Sequence, residues 1–206
     1  MASGGIPTGS TKLGTRRIYS VRPRAHEFFL EWFCEREREG AAIHRILEVG
    51  CGRAVPYARI FRAYDYYGTD ISEKEIAICR EQYGADDRHF FAGDAIAGEV
   101  RGPYDLVYSH AVIDHVYDVN AFLEKLAAAT CGWLYVSAYA GWHPRLDRHA
   151  YRWHEDITCY QDEISPKEAR SALAAIGCGE IQVFPVYVGN NTDDVPFETV
   201  ITARRK

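Results

Sequence analysis

The sequence predicts an α/β protein built on a doubly wound, mostly parallel seven-stranded sheet, with helices on both faces and an antiparallel hairpin at its C-terminal end. Three observations lead there. Short apolar runs alternate with helix-like segments from residue 45 to 137. The runs lack polar alternation, as strands covered on both faces do. The last two runs, about 181–188 and 197–203, are separated only by the polar loop 189–194, so they can pair antiparallel without a crossover.

The elements follow in order. A helix is expected from about Pro23 to Glu39, because Phe28, Phe29, Trp32 and Phe33 recur at helical spacing and Gly40 closes it. Arg45–Val49 reads as a buried strand stopped by Gly50-Cys51-Gly52, and a helical segment from Val55 to Arg62 follows. Tyr66–Asp70 is the second strand. Ser72-Glu73-Lys74-Glu75 has the form of a capping box, with Ser72 as N-cap and Glu75 reaching back, and opens a helix to about Tyr83. Arg88–Ala92 is the third strand and Tyr104–Ser109 the fourth. A helix from about Val119 to Ala129 takes Asp118 as its cap. Gly132–Ser137 is the fifth strand. Residues 138–164 show no clear period, and irregular segments of that length are commonly functional or mobile. Ser165-Pro166-Lys167-Glu168 is a second capping box with proline at the first helical position, and its helix runs to Ile176 before Gly177.

Length and charge narrow the function. At 206 residues, positions 23–206 suit one domain, after a Gly/Ser-rich segment 1–22 expected to be flexible. The net charge of −5 announces neither a nucleic-acid nor an anionic-membrane surface. No stretch approaches the ~18–20 apolar residues of a membrane span, and the polar start lacks the apolar centre of a secretory signal, so a cytoplasmic protein is expected. The six cysteines form no CxxC pair and read as free thiols. Oligomeric state is not written in the sequence.

Open α/β sheets bind ligands at the carboxyl ends of their strands, and four signals fall there. Glu48-Val49-Gly50-Cys51-Gly52 lets backbone approach a ligand closely and hands it a helix N-terminus. Asp70, about twenty residues on, can accept both hydroxyls of a ribose. Gly93-Asp94-Ala95 offers a carboxylate to the amino group of a base, and Ser109-His110 closes strand four. Each is weak alone; their order and spacing give them weight.

These segments resemble class I S-adenosylmethionine-dependent methyltransferases, particularly the small-molecule branch. Ile46 to Gly52 is similar to the family's first motif, Tyr67-Gly68-Thr69-Asp70-Ile71-Ser72 to its second-strand motif, Gly93-Asp94-Ala95 to its adenine-contacting motif, and Tyr104 to Val116 to its fourth-strand segment. The likeness spans about residues 40–140. Nicotinamide dehydrogenases would need glycine where Val55 stands. The family often carries a third glycine where this chain has Ala54, a departure tolerated if the backbone angles there suit alanine. The resemblance implies S-adenosylmethionine as cofactor, with Gly50, Cys51 and Gly52 against its methionine part and Glu48 orienting its amino group. It implies Asp70 on the ribose, Ile71 against the adenine, Asp94 and Ala95 at the adenine edge, and the Ser109 backbone toward the amino-acid end. The N-terminal segment, with Arg16, Arg17 and Tyr19, is a candidate lid.

The implied reaction is in-line displacement of a methyl group onto an O or N atom of a small acceptor, driven largely by positioning. A hydroxyl acceptor also needs a base, and histidine is the natural one. His115, in the pair Asp114-His115, and His154, in the segment 138–164 that walls the acceptor pocket in this family, are the candidates. His115 reads equally as a packing residue. His143 and His149 share the irregular segment, and Tyr139, Trp142, Tyr151, Trp153 and Tyr160 either line an acceptor pocket or pack a lid. His149, His154, Glu155 and Asp156 match no established ligand spacing, so no metal is expected. A macromolecular acceptor and a non-catalytic S-adenosylmethionine-binding module are the alternatives.

Overall fold

The computed structural model describes residues 25–54, 56–84, 89–98, 100, 102–187 and 197–206. The candidate lid 1–22, Val55, Arg88 and the loop 189–194 lie outside the described residues.

Helix α1, Ala25–Arg38, forms because its apolar positions share one side: Phe28, Phe29, Trp32 and Phe33 are all buried. Fully burying each such ring stabilises by roughly 1.5–3 kcal/mol. Gly40 ends the helix in the left-handed region, φ +89°, where glycine carries no Cβ penalty. Strand β1, Arg45–Val49, leads through the glycine loop to a single turn, α2, Tyr57–Ile60. Strand β2, Asp65–Asp70, precedes α3, Glu73–Tyr83. Ser72 caps α3 by accepting from the Glu75 amide. The Glu75 carboxylate does not complete the expected capping box: it meets Arg53 Nε at 2.8 Å.

Strands β3, Phe90–Ala92, and β4, Tyr104–His110, are followed by a 3-10 turn, Ile113–His115. Helix α4, Val119–Ala129, starts where Asp118 Oδ1 accepts from the Ala121 amide at 2.9 Å. Strand β5, Thr130–Ala138, ends at the irregular segment, which folds a small hairpin of its own, β6 (Trp153–His154) with β7 (Cys159–Tyr160). Helix α5, Pro166–Ala175, is capped by Ser165 with proline in its first turn. Strands β8, Cys178–Tyr187, and β9, Phe197–Arg205, close the chain.

The main sheet runs β3-β2-β1-β4-β5-β9-β8. Its first five strands are parallel, and β9 enters antiparallel between β5 and β8. Strand direction fixes the two layers, since alternate side chains point to opposite faces. Leu47, Val49, Val107, Leu134 and Val136 meet α4 and α5, whereas Ile46, Leu106, Tyr108, Trp133 and Tyr135 meet α1, α2 and α3. The strand order reverses between β1 and β4, which sets the ligand crevice beside the glycine loop. Among the described residues no helix is long and apolar enough to cross a membrane, and all six cysteines are free thiols.

Candidate functional site

The carboxyl end of β1 is tied to that of β2 by backbone. The amides of Gly50 and Cys51 both donate to the Thr69 carbonyl, at 2.8 and 3.0 Å. The Gly52 amide then donates to Asp70 Oδ2 at 2.8 Å, and the Ser72 amide to Asp70 Oδ1 at 2.9 Å. One carboxylate therefore fixes the loop after β1 and the loop after β2 together. It remains partly exposed, with lone pairs left on both oxygens.

The glycines have separate reasons. Gly50 lies at φ +78°, and a Cβ there would overlap Cγ2 of Val112. Gly52 lies at φ +51° with open space before it, as does Gly93 without the positive φ. Ala54 occupies the left-handed region at φ +54° and is fully buried. Its backbone angles are those that favour glycine, so the alanine is held there at a cost of about 1–2 kcal/mol. Beside Asp70, Ile71 is 73% exposed. An apolar side chain thus stands open next to the Asp70 carboxylate.

Asp94 closes its own loop, accepting at Oδ1 from the amides of Ile96 and Ala97 at 2.7 and 3.2 Å, while Tyr117 approaches Oδ2 at 3.4 Å. Ala95 packs partly against the core. Ser109 is buried in β4 with no partner for its hydroxyl among the described residues. Glu48 points into the α1 layer, where its Oε2 accepts from the hydroxyls of Tyr66 and Tyr108. Burial pushes this carboxyl up to about 7, against the two hydroxyl bonds that favour its charge.

On the other side of the crevice, His115 Nδ1 faces the Tyr160 carbonyl at 2.5 Å and Nε2 faces the Tyr139 hydroxyl at 2.9 Å. The carbonyl can only accept, so Nδ1 carries the proton and Nε2 accepts from Tyr139. His154 lies on the exposed β6 edge opposite Cys159. His149 is committed to structure: Nδ1 accepts from the Ser165 amide at 3.0 Å, Nε2 meets Asn120 Oδ1 at 3.3 Å, and burial lowers its basicity. His143 donates to the Ala140 carbonyl at 2.8 Å. The aromatic residues divide likewise: Trp142 packs on the core, while Tyr139, Tyr151 and Trp153 are exposed, Tyr151 with its hydroxyl accepting from the Val119 amide.

Sequence reasoning passed over a row of polar side chains on the α1 side of the same edge. His26 Nδ1 lies 2.5 Å from the Tyr57 hydroxyl, which lies 3.1 Å from His110 Nε2, and His110 Nδ1 lies 2.9 Å from Ser137 Oγ. Glu198 lies beside Ser137, whose hydroxyl favours the charge of its carboxylate. One signal was readable: His110 closes the fourth strand. The convergence of five distant positions was not.

A model of the methyltransferase domain matches residues 47–131. A ubiquinone biosynthesis O-methyltransferase from Sinorhizobium medicae is 30% identical over 132 residues, 59% of this chain and 51% of that protein. One from Sinorhizobium fredii is 33% identical over 90 residues, 40% of this chain and 35% of that protein. The chain thus spans about half or less of the length of these curated relatives. Among solved structures, magnesium protoporphyrin IX methyltransferase from Synechocystis, with S-adenosylmethionine bound, has a TM-score of 0.59 at 19% identity, over 87% of this chain and 77% of that one. An amino pentose methyltransferase from Micromonospora echinaspora has a TM-score of 0.63 at 14% identity, over 88% and 91%. At these identities the structures speak to fold. Residues 47–131 thus match the methyltransferase domain, and the strand order and crevice share the fold of these methyltransferase structures.

Proposed function

We propose that the protein transfers the methyl group of S-adenosylmethionine to a hydroxyl of a small molecule. The observation that carries this reading is the Asp70 carboxylate, clamped between the Gly52 and Ser72 amides beside the exposed Ile71. Gly50, Cys51 and Gly52 would hold the methionine part, Asp70 the ribose, Ile71, Asp94 and Ala95 the adenine, and the Ser109 backbone the amino-acid end. The sulfonium supplies an activated methyl when bound. The chain's own residues then have to orient the acceptor and receive its proton, and His115, held between the Tyr160 carbonyl and the Tyr139 hydroxyl, is placed to orient the acceptor through Tyr139. A hydroxyl acceptor is favoured by the O-methyltransferase relatives. Segment 138–164 supplies the exposed Tyr139 and Trp153 to the acceptor side, and His154 stands on its β6 edge.

Calorimetric titration of the folded protein with S-adenosylmethionine and S-adenosylhomocysteine tests the cofactor half, with one-to-one binding of both expected. Labelled-methyl transfer to a panel of catechol, phenol and amino-sugar acceptors tests the rest. Absence of binding by folded protein would overturn the reading; transfer confined to amines would move it from O to N.

A further inference from the structure

The row from His26 to Glu198 crosses the carboxyl edge of the sheet from strand to helix. His110 ends β4 and Ser137 stands opposite it in β5. Glu198 is the second residue of β9, next to Thr199, which pairs with Ala138. Tyr57 comes from the single turn after the glycine loop, and His26 from the exposed first turn of α1. With the cofactor over β1 to β3, the ends of β4, β5 and β9 border the acceptor.

We propose that Glu198, Ser137, His110, Tyr57 and His26 form a proton relay, which takes the acceptor's proton at Glu198 and delivers it to solvent at the start of α1. The relay rests on the methyltransferase reading given above.

The chemistry balances. The acceptor's O–H bond breaks as its oxygen forms the new bond to the methyl carbon. The S–CH3 electron pair returns to sulfur, and the proton goes to a Glu198 carboxylate oxygen. Four transfers then clear it: Glu198 to Ser137, Ser137 to His110 Nδ1, His110 Nε2 to Tyr57, and Tyr57 to His26 Nδ1. Glu198 ends ionised, His26 sheds a proton to water, and His110 has exchanged an Nε2–H tautomer for an Nδ1–H one without becoming charged. The hydroxyls reset by rotation, and His110, which is partly exposed, regains its Nε2–H tautomer by taking a proton from water at Nε2 and releasing the one at Nδ1.

The surroundings suit these roles. Burial, with His26 nearby, pushes His110 down to about 3, so the ring passes protons while staying neutral. Burial and the facing Asp114 push Glu198 up to about 7, against the Ser137 hydroxyl, which favours its charge. That places the carboxyl where a base must both take and release a proton at neutral pH. Burial, with the charges of Glu48 and Glu198 nearby, opposes ionisation of Tyr57, so it moves protons as a neutral hydroxyl. The rings of Phe29, Tyr108 and Tyr135 pack around the partly exposed His110.

The test uses long-range proton–nitrogen spectra of the labelled full chain, in which the two neutral histidine tautomers are distinct. From about pH 9 to about pH 5.5, across the Glu198 range, His110 should remain neutral and move from Nδ1–H to Nε2–H. In Glu198→Gln the change should vanish, because the amide donates to Ser137 at every pH. Tyr57→Phe keeps the ring and should uncouple His26 from the state of Glu198. One fixed tautomer in the wild type, a charged His110, or a switch surviving in Glu198→Gln overturns the relay. With catechol as acceptor, Glu198→Gln should lower kcat by at least ~100-fold while the affinity for S-adenosylhomocysteine holds; an unchanged kcat removes Glu198 as the base. Failure of the wild type to bind S-adenosylhomocysteine would instead sink the methyltransferase reading, and leaves the tautomer result standing on its own.

Discussion

The Gly52 amide donates to Asp70 Oδ2 across the crevice at 2.8 Å, while the Ser72 amide holds Oδ1. Asp70 therefore ties two loops together, and in the proposed reading it also holds the ribose. Asp70→Ala should cost about 1–3 kcal/mol of stability, since it leaves two backbone donors without their acceptor. It should also weaken S-adenosylhomocysteine binding at least tenfold, the equivalent of one lost charge-assisted bond. Thermal unfolding and calorimetry on the same sample separate the two effects. An unchanged affinity would remove Asp70 from the cofactor site.

Gly50 and Gly93 should respond differently to alanine. Gly50→Ala meets both a positive φ and Val112 Cγ2, and should destabilise by about 2–4 kcal/mol. Gly93→Ala meets open space and should stay within about 0.5 kcal/mol, yet weaken S-adenosylhomocysteine binding if adenine occupies that space. Denaturant midpoints with and without the ligand distinguish the pair.

The strand ends were legible because their chemistry is local. Gly50, Asp70 and Asp94 each follow an apolar run at a spacing that topology alone requires, and Asp118 and Ser165 cap helices by contacts three residues away. What stayed hidden depends on distant pairing. Tyr57 and His110 meet across 53 residues, and His26 and Tyr57 across 31. Ala54 shows the other limit, because its positive φ is set by the loop around it rather than by its own propensity. Among the singled-out histidines, His149 proved structural because α4 and α5 close on it, which the sequence of its own segment does not record.

Glu48 should shape stability against pH. Its carboxyl titrates near 4.5 when unfolded and is pushed up to about 7 in the fold. Between those values the folded state binds more protons than the unfolded one, so its contribution is full at low pH and is lost as pH rises through about 7. Glu198, also pushed up to about 7, and Asp162, pushed up to about 6 by burial, have the same sign. Glu48→Gln should reduce the loss of stability between pH 5 and pH 8 by on the order of 3 kcal/mol, leaving the share of the other two. Urea unfolding at both pH values reads it, and an identical loss in the variant would contradict the assignment.

Glu168 splices segment 138–164 to the helices. Its Oε2 accepts from the His149 amide at 2.5 Å, and its Oε1 meets Arg148 Nη1 at 2.9 Å and Asn120 Nδ2 at 3.2 Å. Glu168→Ala should cost about 1–3 kcal/mol and speed amide exchange through residues 146–152, with the exchange of β1 and β4 unchanged. Uniform acceleration across the sheet would show instead that the segment and the core unfold as one.

In the proposed reading the cofactor lies along the carboxyl ends of β1, β2 and β3, and amide shift mapping during titration with S-adenosylhomocysteine reads that placement residue by residue. Shifts should concentrate at Gly50, Cys51, Gly52, Asp70, Ile71 and Gly93 to Ala95 and saturate at one ligand per chain. Shifts that avoid these amides, or none from folded protein, would contradict it.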